Sequence, residues 1–191
     1  MAEAYQAGCR EFGENYVQEF ADKKPELSGL SDARFHLIGH LQSNKARLAC
    51  ELFDVIETVD TPKLLQRMDQ MAEQLGKSMQ ALIEVKLSKE ETKSGCDPIA
   101  VPALLETASK CKHVRVSGLM TIPPWSEDAE VSRPYFRELA RLAKQHGLAE
   151  LSMGMSNDFE AAIEEGATII RVGTAIFGPR AKPEAASRRA I

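Results

Sequence analysis

Apolar positions along this chain follow two alternating rhythms. Short runs rich in β-branched or aromatic residues fall at 11–15, 34–39, 55–58, 79–87, 114–121, 150–153 and 169–172, which is the composition of half-buried or buried strands. Longer stretches with helical spacing lie between them. Residues 61–75 place Leu64, Leu65, Met68, Met71, Ala72 and Leu75 on one face, and 98–110 do the same with Ile99, Val101, Leu104, Leu105 and Ala108. Each opens with a capping residue before a proline, Asp60 or Thr61 before Pro62 and Asp97 before Pro98. A further helix is expected to begin near Phe159, with Asn157 and Glu160 spaced as a capping-box-like pair. Residues 1–7 resemble the last turns of a helix, with no strand before them.

Such alternation predicts an α/β fold with a parallel sheet and helical crossovers. Periodicity alone leaves both a closed barrel and an open doubly wound sheet in play. The seven strand segments are one fewer than a TIM-type (β/α)8 barrel requires. No internal repeat interrupts the pattern, so one domain over 1–179 is expected, followed by a solvated tail at 180–191 in which Arg180, Lys182, Arg188 and Arg189 are spread among Pro, Ala and Ser.

Composition narrows the classes of function. Hydrophobic residues make up 43% of the chain and charged residues 27%, which excludes a disordered or fibrous protein. The net charge of −4 comes from interspersed charges of both signs, so no concentrated positive field exists for a nucleic acid. Cys9, Cys50, Cys96 and Cys111 are scattered without metal-ligand spacing, which argues against zinc or a disulfide framework and for a reducing, cytoplasmic setting. No apolar run approaches the roughly 20 residues of a membrane-spanning helix.

Parallel α/β folds bind ligands at the carboxyl ends of their strands. The segment Leu151-Ser152-Met153-Gly154-Met155-Ser156-Asn157-Asp158 runs from a strand through glycine into helix-capping residues, where Ser156 stands beside a helix start suited to an anion. Next, Ile169-Ile170-Arg171-Val172-Gly173-Thr174 places Arg171 in an apolar strand, facing a lined interior, and offers the amides of Gly173 and Thr174 to a phosphate. Asn15 closes the first strand and can meet a ligand carbonyl or hydroxyl, or serve as a turn residue. His36 shares a strand face with Ile38 and can point into a barrel, as a core histidine or a ligand contact. His40 and Lys45 read as solvent-facing, as do Lys86 and Lys93 after the fourth strand, and Trp125 sits in a Pro-Pro-Trp loop.

Taken together, FGENYVQE (12–19), HLIGHLQSNK (36–45), KSG (93–95), GLMTIPP (118–124), LSMGMSNDFEAAIEEGAT (151–168) and IRVGTAIFG (170–178) resemble the YggS-like pyridoxal phosphate homeostasis proteins. The resemblance implies a fold-type III pyridoxal phosphate-binding barrel, similar to the N-terminal barrel of bacterial alanine racemases, that carries and buffers its cofactor inside the cell. Ser156, Gly173 and Thr174 would hold the phosphate, Arg171 would face the pyridine nitrogen, and Asn15 and His36 would lie along the ring edge and barrel wall. In that family a first strand ends in a Val-Ser-Lys-type segment with the Schiff-base lysine, and this chain starts after it. The partner expected is the small-molecule cofactor, with no nucleic acid or membrane, in a monomer or weak homo-oligomer. Two other functions fit the same fold. A racemase-like enzyme would need an acid/base pair on opposite faces of the ring, yet Tyr5, Tyr16 and Tyr135 fall in helix-like or loop contexts. A cofactor-free interaction module would retain only the barrel.

Overall fold

A computed structural model describes residues 1–88, 90 and 94–178. Lys93 and the basic tail therefore lie outside the described residues. Seven strands form one parallel sheet in chain order: β1 (Glu11–Glu14), β2 (Arg34–Leu37), β3 (Val55–Val59), β4 (Met79–Glu84), β5 (Val114–Met120), β6 (Glu150–Met155) and β7 (Ile169–Arg171). Each expected strand is present, with ends shifted by a few residues at most. The helices are α1 (Ala2–Gln6), α2 (Val17–Lys23), α3 (Ala46–Leu52), α4 (Pro62–Leu75), α5 (Val101–Ala108), α6 (Arg133–Gln145), α7 (Phe159–Glu164) and α8 (Thr174–Phe177).

Local chemistry sets the helix ends. Thr61 Oγ1 accepts the Leu64 amide at 3.3 Å, Pro62 opens α4, and Gly76 closes it in the left-handed conformation at φ 63°. Asp97 caps a 3-10 turn, Pro98–Ala100, that leads into α5. The capping box expected at α7 does not form. Asp158 is the N-cap residue, and its carboxylate instead accepts the Met155 amide at 2.7 Å, while the Asn157 side chain donates to the Ser126 carbonyl at 2.6 Å. Asn157 thereby pins the loops after β5 and β6 together, and Asp158 closes the turn between β6 and α7.

Side-chain contacts reveal the curvature that periodicity left open. Glu57 on β3 touches Ser152 on β6 at 2.5 Å, although β4 and β5 lie between those strands in the sheet. Gln80 on β4 reaches Glu150 on β6 at 2.6 Å, and Arg34 on β2 reaches Gln80 at 3.0 Å. The Glu57–Ser152 contact, spanning two intervening strands with two short side chains, is possible only across the interior of a sheet curled on itself. Outside it, Phe12, Phe20, Phe35 and Phe53 pack at centroid separations of 4.6–6.1 Å, part of a continuous apolar layer between strands and helices. Inside, Val55, Leu82 and Met120 form a small apolar plug flanked by Ile122 and Ile169, and polar and charged side chains, among them His36, Glu57, Glu84 and Ser152, share the interior with it.

Candidate functional site

Two successive strand ends build the site. β6 turns at Gly154, one residue before its end, where a φ of 91° coincides with the break in the β6–β7 register. A Cβ there would lie 2.5 Å from the Ala162 Cβ, so glycine also lets α7 pack against the strand end. The turn delivers Ser156 to the loop after β7. Its hydroxyl accepts the amides of Gly173 at 3.2 Å and Ala175 at 3.3 Å. The serine and the glycine loop thus converge, with the Gly173 and Ala175 amides on the hydroxyl and Thr174 opening one turn of α8 between them. A Cβ built on Gly173 meets nothing within 4 Å, so the loop is open to an approaching group.

Arg171 stands beneath this loop. One Nη donates to Ser152 Oγ at 2.5 Å and the other to the Thr121 carbonyl at 2.8 Å. Burial lowers its proton affinity, while the charges of Glu57, Glu84 and Asp158 act in the opposite direction. Ser152 donates in turn to Glu57, whose other carboxylate oxygen lies 2.6 Å from His36 Nδ1. The second ring nitrogen of His36 lies 2.6 Å from Glu11. His36, Glu57 and Ser152 are all buried. An ionised carboxylate only accepts, so two carboxylates satisfy His36 when both its nitrogens carry protons. Burial opposes that charge, but the hydrogen bonds and charges of Glu57 and Glu11 outweigh it and raise the His36 pKa above its ordinary value. His36 does point inward, as the strand phase indicated, and there both of its nitrogens are engaged by protein groups.

Asn15 lies exposed at the end of β1, its backbone so close to Gly39 that a Cβ on that glycine would sit 2.0 Å from the Asn15 carbonyl oxygen. His40 and Lys45 are exposed as anticipated, and Trp125 is 79% exposed. Glu84, at the interior end of β4, is 5% exposed, and its Oε2 has no hydrogen-bond partner among the described residues. Burial, with Asp60 nearby, pushes its carboxyl up to about 7, against the pull of Arg171. Sequence reasoning missed Glu11, Glu57, Glu84 and Ser152. The argument applied to Arg171, a charge inside an apolar strand, would have found Glu57 between Ile56 and Thr58. A separate cavity of about 430 Å3, lined by Arg34, Lys77, Gln80, Arg115 and Glu150 among others, opens at the amino ends of the strands. That end is opposite to the one where parallel barrels bind ligands.

Residues 1–181 match the alanine racemase N-terminal domain family. The chain belongs to that family. Its relatives include the pyridoxal phosphate homeostasis proteins of Aquifex aeolicus, 43% identical with 94% of this chain and 81% of that protein covered, and of Escherichia coli, 40% identical with 94% and 80% covered. They bear out the YggS-like resemblance. The structure of PipY from Synechococcus elongatus with pyridoxal phosphate bound has a TM-score of 0.85 at 45% identity, covering 93% of this chain and 85% of PipY. Alanine racemase of Clostridium difficile shares the fold at 13% identity, with a TM-score of 0.70 over 94% of this chain and 50% of the racemase. The family member thus has the TIM-type fold expected of it.

Proposed function

We propose that this protein binds pyridoxal phosphate at the carboxyl end of its barrel and serves intracellular homeostasis of that cofactor as a carrier or buffer. The observation that carries the reading is the convergence of Ser156 Oγ with the Gly173 and Ala175 amides beside an open loop. The kinship with pyridoxal phosphate homeostasis proteins and with PipY names the phosphorylated ligand.

These groups fit the phosphate end of the cofactor. The serine hydroxyl and backbone amides can donate to its oxygens, and the Gly173 loop admits them without steric conflict. When bound, the cofactor supplies an aldehyde that condenses with amines and a ring that can accept electrons. Arg171 would face the ring nitrogen and, by like-charge repulsion, oppose its protonation, which weakens the ring as an electron sink. That setting suits storage and delivery better than demanding carbanion chemistry. Asn15 and His36 would flank the ring edge and the barrel wall. Lys86, just beyond β4, is the described lysine next to a strand's carboxyl end, and its backbone amide donates to the Cys96 carbonyl.

Titrating pyridoxal phosphate into the purified chain, followed by its visible absorption, tests the reading. Saturable binding that inorganic phosphate competes away is expected, and Ser156→Ala should weaken it roughly tenfold, the size of one lost hydrogen bond to a charged group. Absence of binding, or binding indifferent to phosphate and to the Ser156 substitution, would overturn it. Borohydride treatment then reads whether a lysine becomes covalently attached, and exposure to D- and L-alanine reads racemisation above the rate of free cofactor.

A further inference from the structure

The interior polar chain crosses the whole barrel. From Glu11 on β1 it passes through His36 on β2, Glu57 on β3 and Ser152 on β6 to Arg171 on β7, each contact between 2.5 and 2.6 Å. The buried Glu57 carboxylate accepts from both sides, one oxygen facing the His36 ring and the other the Ser152 hydroxyl. A carboxylate 1% exposed is retained only if it is paired. Here its pairing is directional. With its hydroxyl proton committed to Glu57, Ser152 can offer only a lone pair to Arg171, and that fixes which way the guanidinium lies. The second Nη is anchored on the Thr121 carbonyl, so the plane of the group is set by two points on different strands.

We propose that Glu57 is a positioning residue for the cofactor ring, acting through Ser152 to hold the Arg171 guanidinium in one orientation, with His36, clamped between Glu57 and Glu11, holding Glu57. The inference rests on the proposed binding of pyridoxal phosphate with Arg171 toward the ring nitrogen, and it adds the groups that aim that arginine. None of them reaches the phosphate loop, since the hydroxyl that meets the Gly173 and Ala175 amides belongs to Ser156. Loss of the relay therefore alters recognition of the ring while leaving recognition of phosphate intact. Other charges bear on the same interior, Glu84 from β4 and Asp158 from the β6–α7 loop, and both act on Arg171 through space.

The test compares two ligands on the full chain, pyridoxal phosphate by absorption titration and inorganic phosphate by phosphorus NMR. Glu57→Gln keeps the size of the side chain but turns one acceptor into a donor facing Ser152. It should weaken pyridoxal phosphate binding roughly tenfold, the low end of what losing an outer partner of a ligand-holding side chain does at metal sites, and shift the absorption band of the bound cofactor. Its affinity for inorganic phosphate should stay that of the parent, whereas Ser156→Ala weakens both. Ser152→Ala removes one oxygen and should reproduce the Glu57→Gln split, and it decides the matter alone if Glu57→Gln fails to fold. Unchanged pyridoxal phosphate affinity in both variants, or an equal loss for both ligands, overturns the inference while leaving the proposed function standing. A parent protein that binds no pyridoxal phosphate overturns both.

Discussion

Glu84 is a carboxyl group at the interior end of β4 with one oxygen unpartnered among the described residues and a pKa pushed up to about 7 by burial. In the unfolded chain the same group ionises near 4.5. Between those values the folded state holds a proton that the unfolded state has lost, so stability falls as pH rises from about 4.5 through about 7 and then levels off. His36 acts in the same direction at higher pH, because its raised pKa gives a contribution complete below 6.5 that fades as pH climbs through the folded value. Glu84→Gln removes one of the two slopes. Relative to the parent, its stability should rise from roughly 1–2 kcal/mol below near pH 4, where the buried amide costs an unpaired donor, to roughly 1–2 kcal/mol above at pH 8, where the strained carboxylate is relieved. A pH-independent difference in calorimetry would show that Glu84 is not held protonated. At this scale the sequence was most legible where a polar residue interrupted an apolar strand. It marked Arg171 and the inward phase of His36, and it gave no hint that Ser152, flanked by Leu151 and Met153, would be the link between Glu57 and Arg171.

Elements were legible because their signals are local. The cap at Thr61 with Pro62, the apolar face of α4 and the alternation of strand with helix depend on neighbours within a few residues and appear where the pattern put them, whereas on the face expected over 98–110 Val101 and Leu104 are buried but Ile99, in the 3-10 turn before α5, is 86% exposed. The α7 capping box failed for a reason outside its own window, since Asn157 is engaged by Ser126 at a separation of 31 residues. The β6–α7 turn depends most sharply on one position. At Gly154 a side chain would meet both a left-handed backbone, at φ 91°, and the Ala162 Cβ at 2.5 Å. Gly154→Ala should therefore destabilise the protein by roughly 2 kcal/mol or more in denaturant unfolding. Because the same turn delivers Ser156, the variant should also lose affinity for inorganic phosphate. Normal stability in that variant would mean that the turn relaxes freely.

Across the whole molecule the seven strands are not equivalent. β3 is buried at every position and β4 nearly so, while the three residues of β7 are all partly exposed or exposed, and among the described residues β7 pairs with β6 alone and β1 with β2 alone. Local opening follows such differences in burial and pairing. Amide exchange should accordingly be fastest in β1 and β7 and slowest in β3 and β4, and pyridoxal phosphate should protect the Gly173 loop. Uniform exchange over all seven strands would contradict this ranking. The amino-acid order by itself determined the number and sequence of strands, the parallel α/β class and the serine and glycine loops of the proposed phosphate site, because each rests on spacing along the chain. Whether the sheet curls was decided only in three dimensions, by contacts such as Glu57 to Ser152 at a separation of 95 residues. Those same contacts decided that the interior would hold a relay of charges, since a buried carboxylate is tolerable only where the fold brings it donors that no local pattern records.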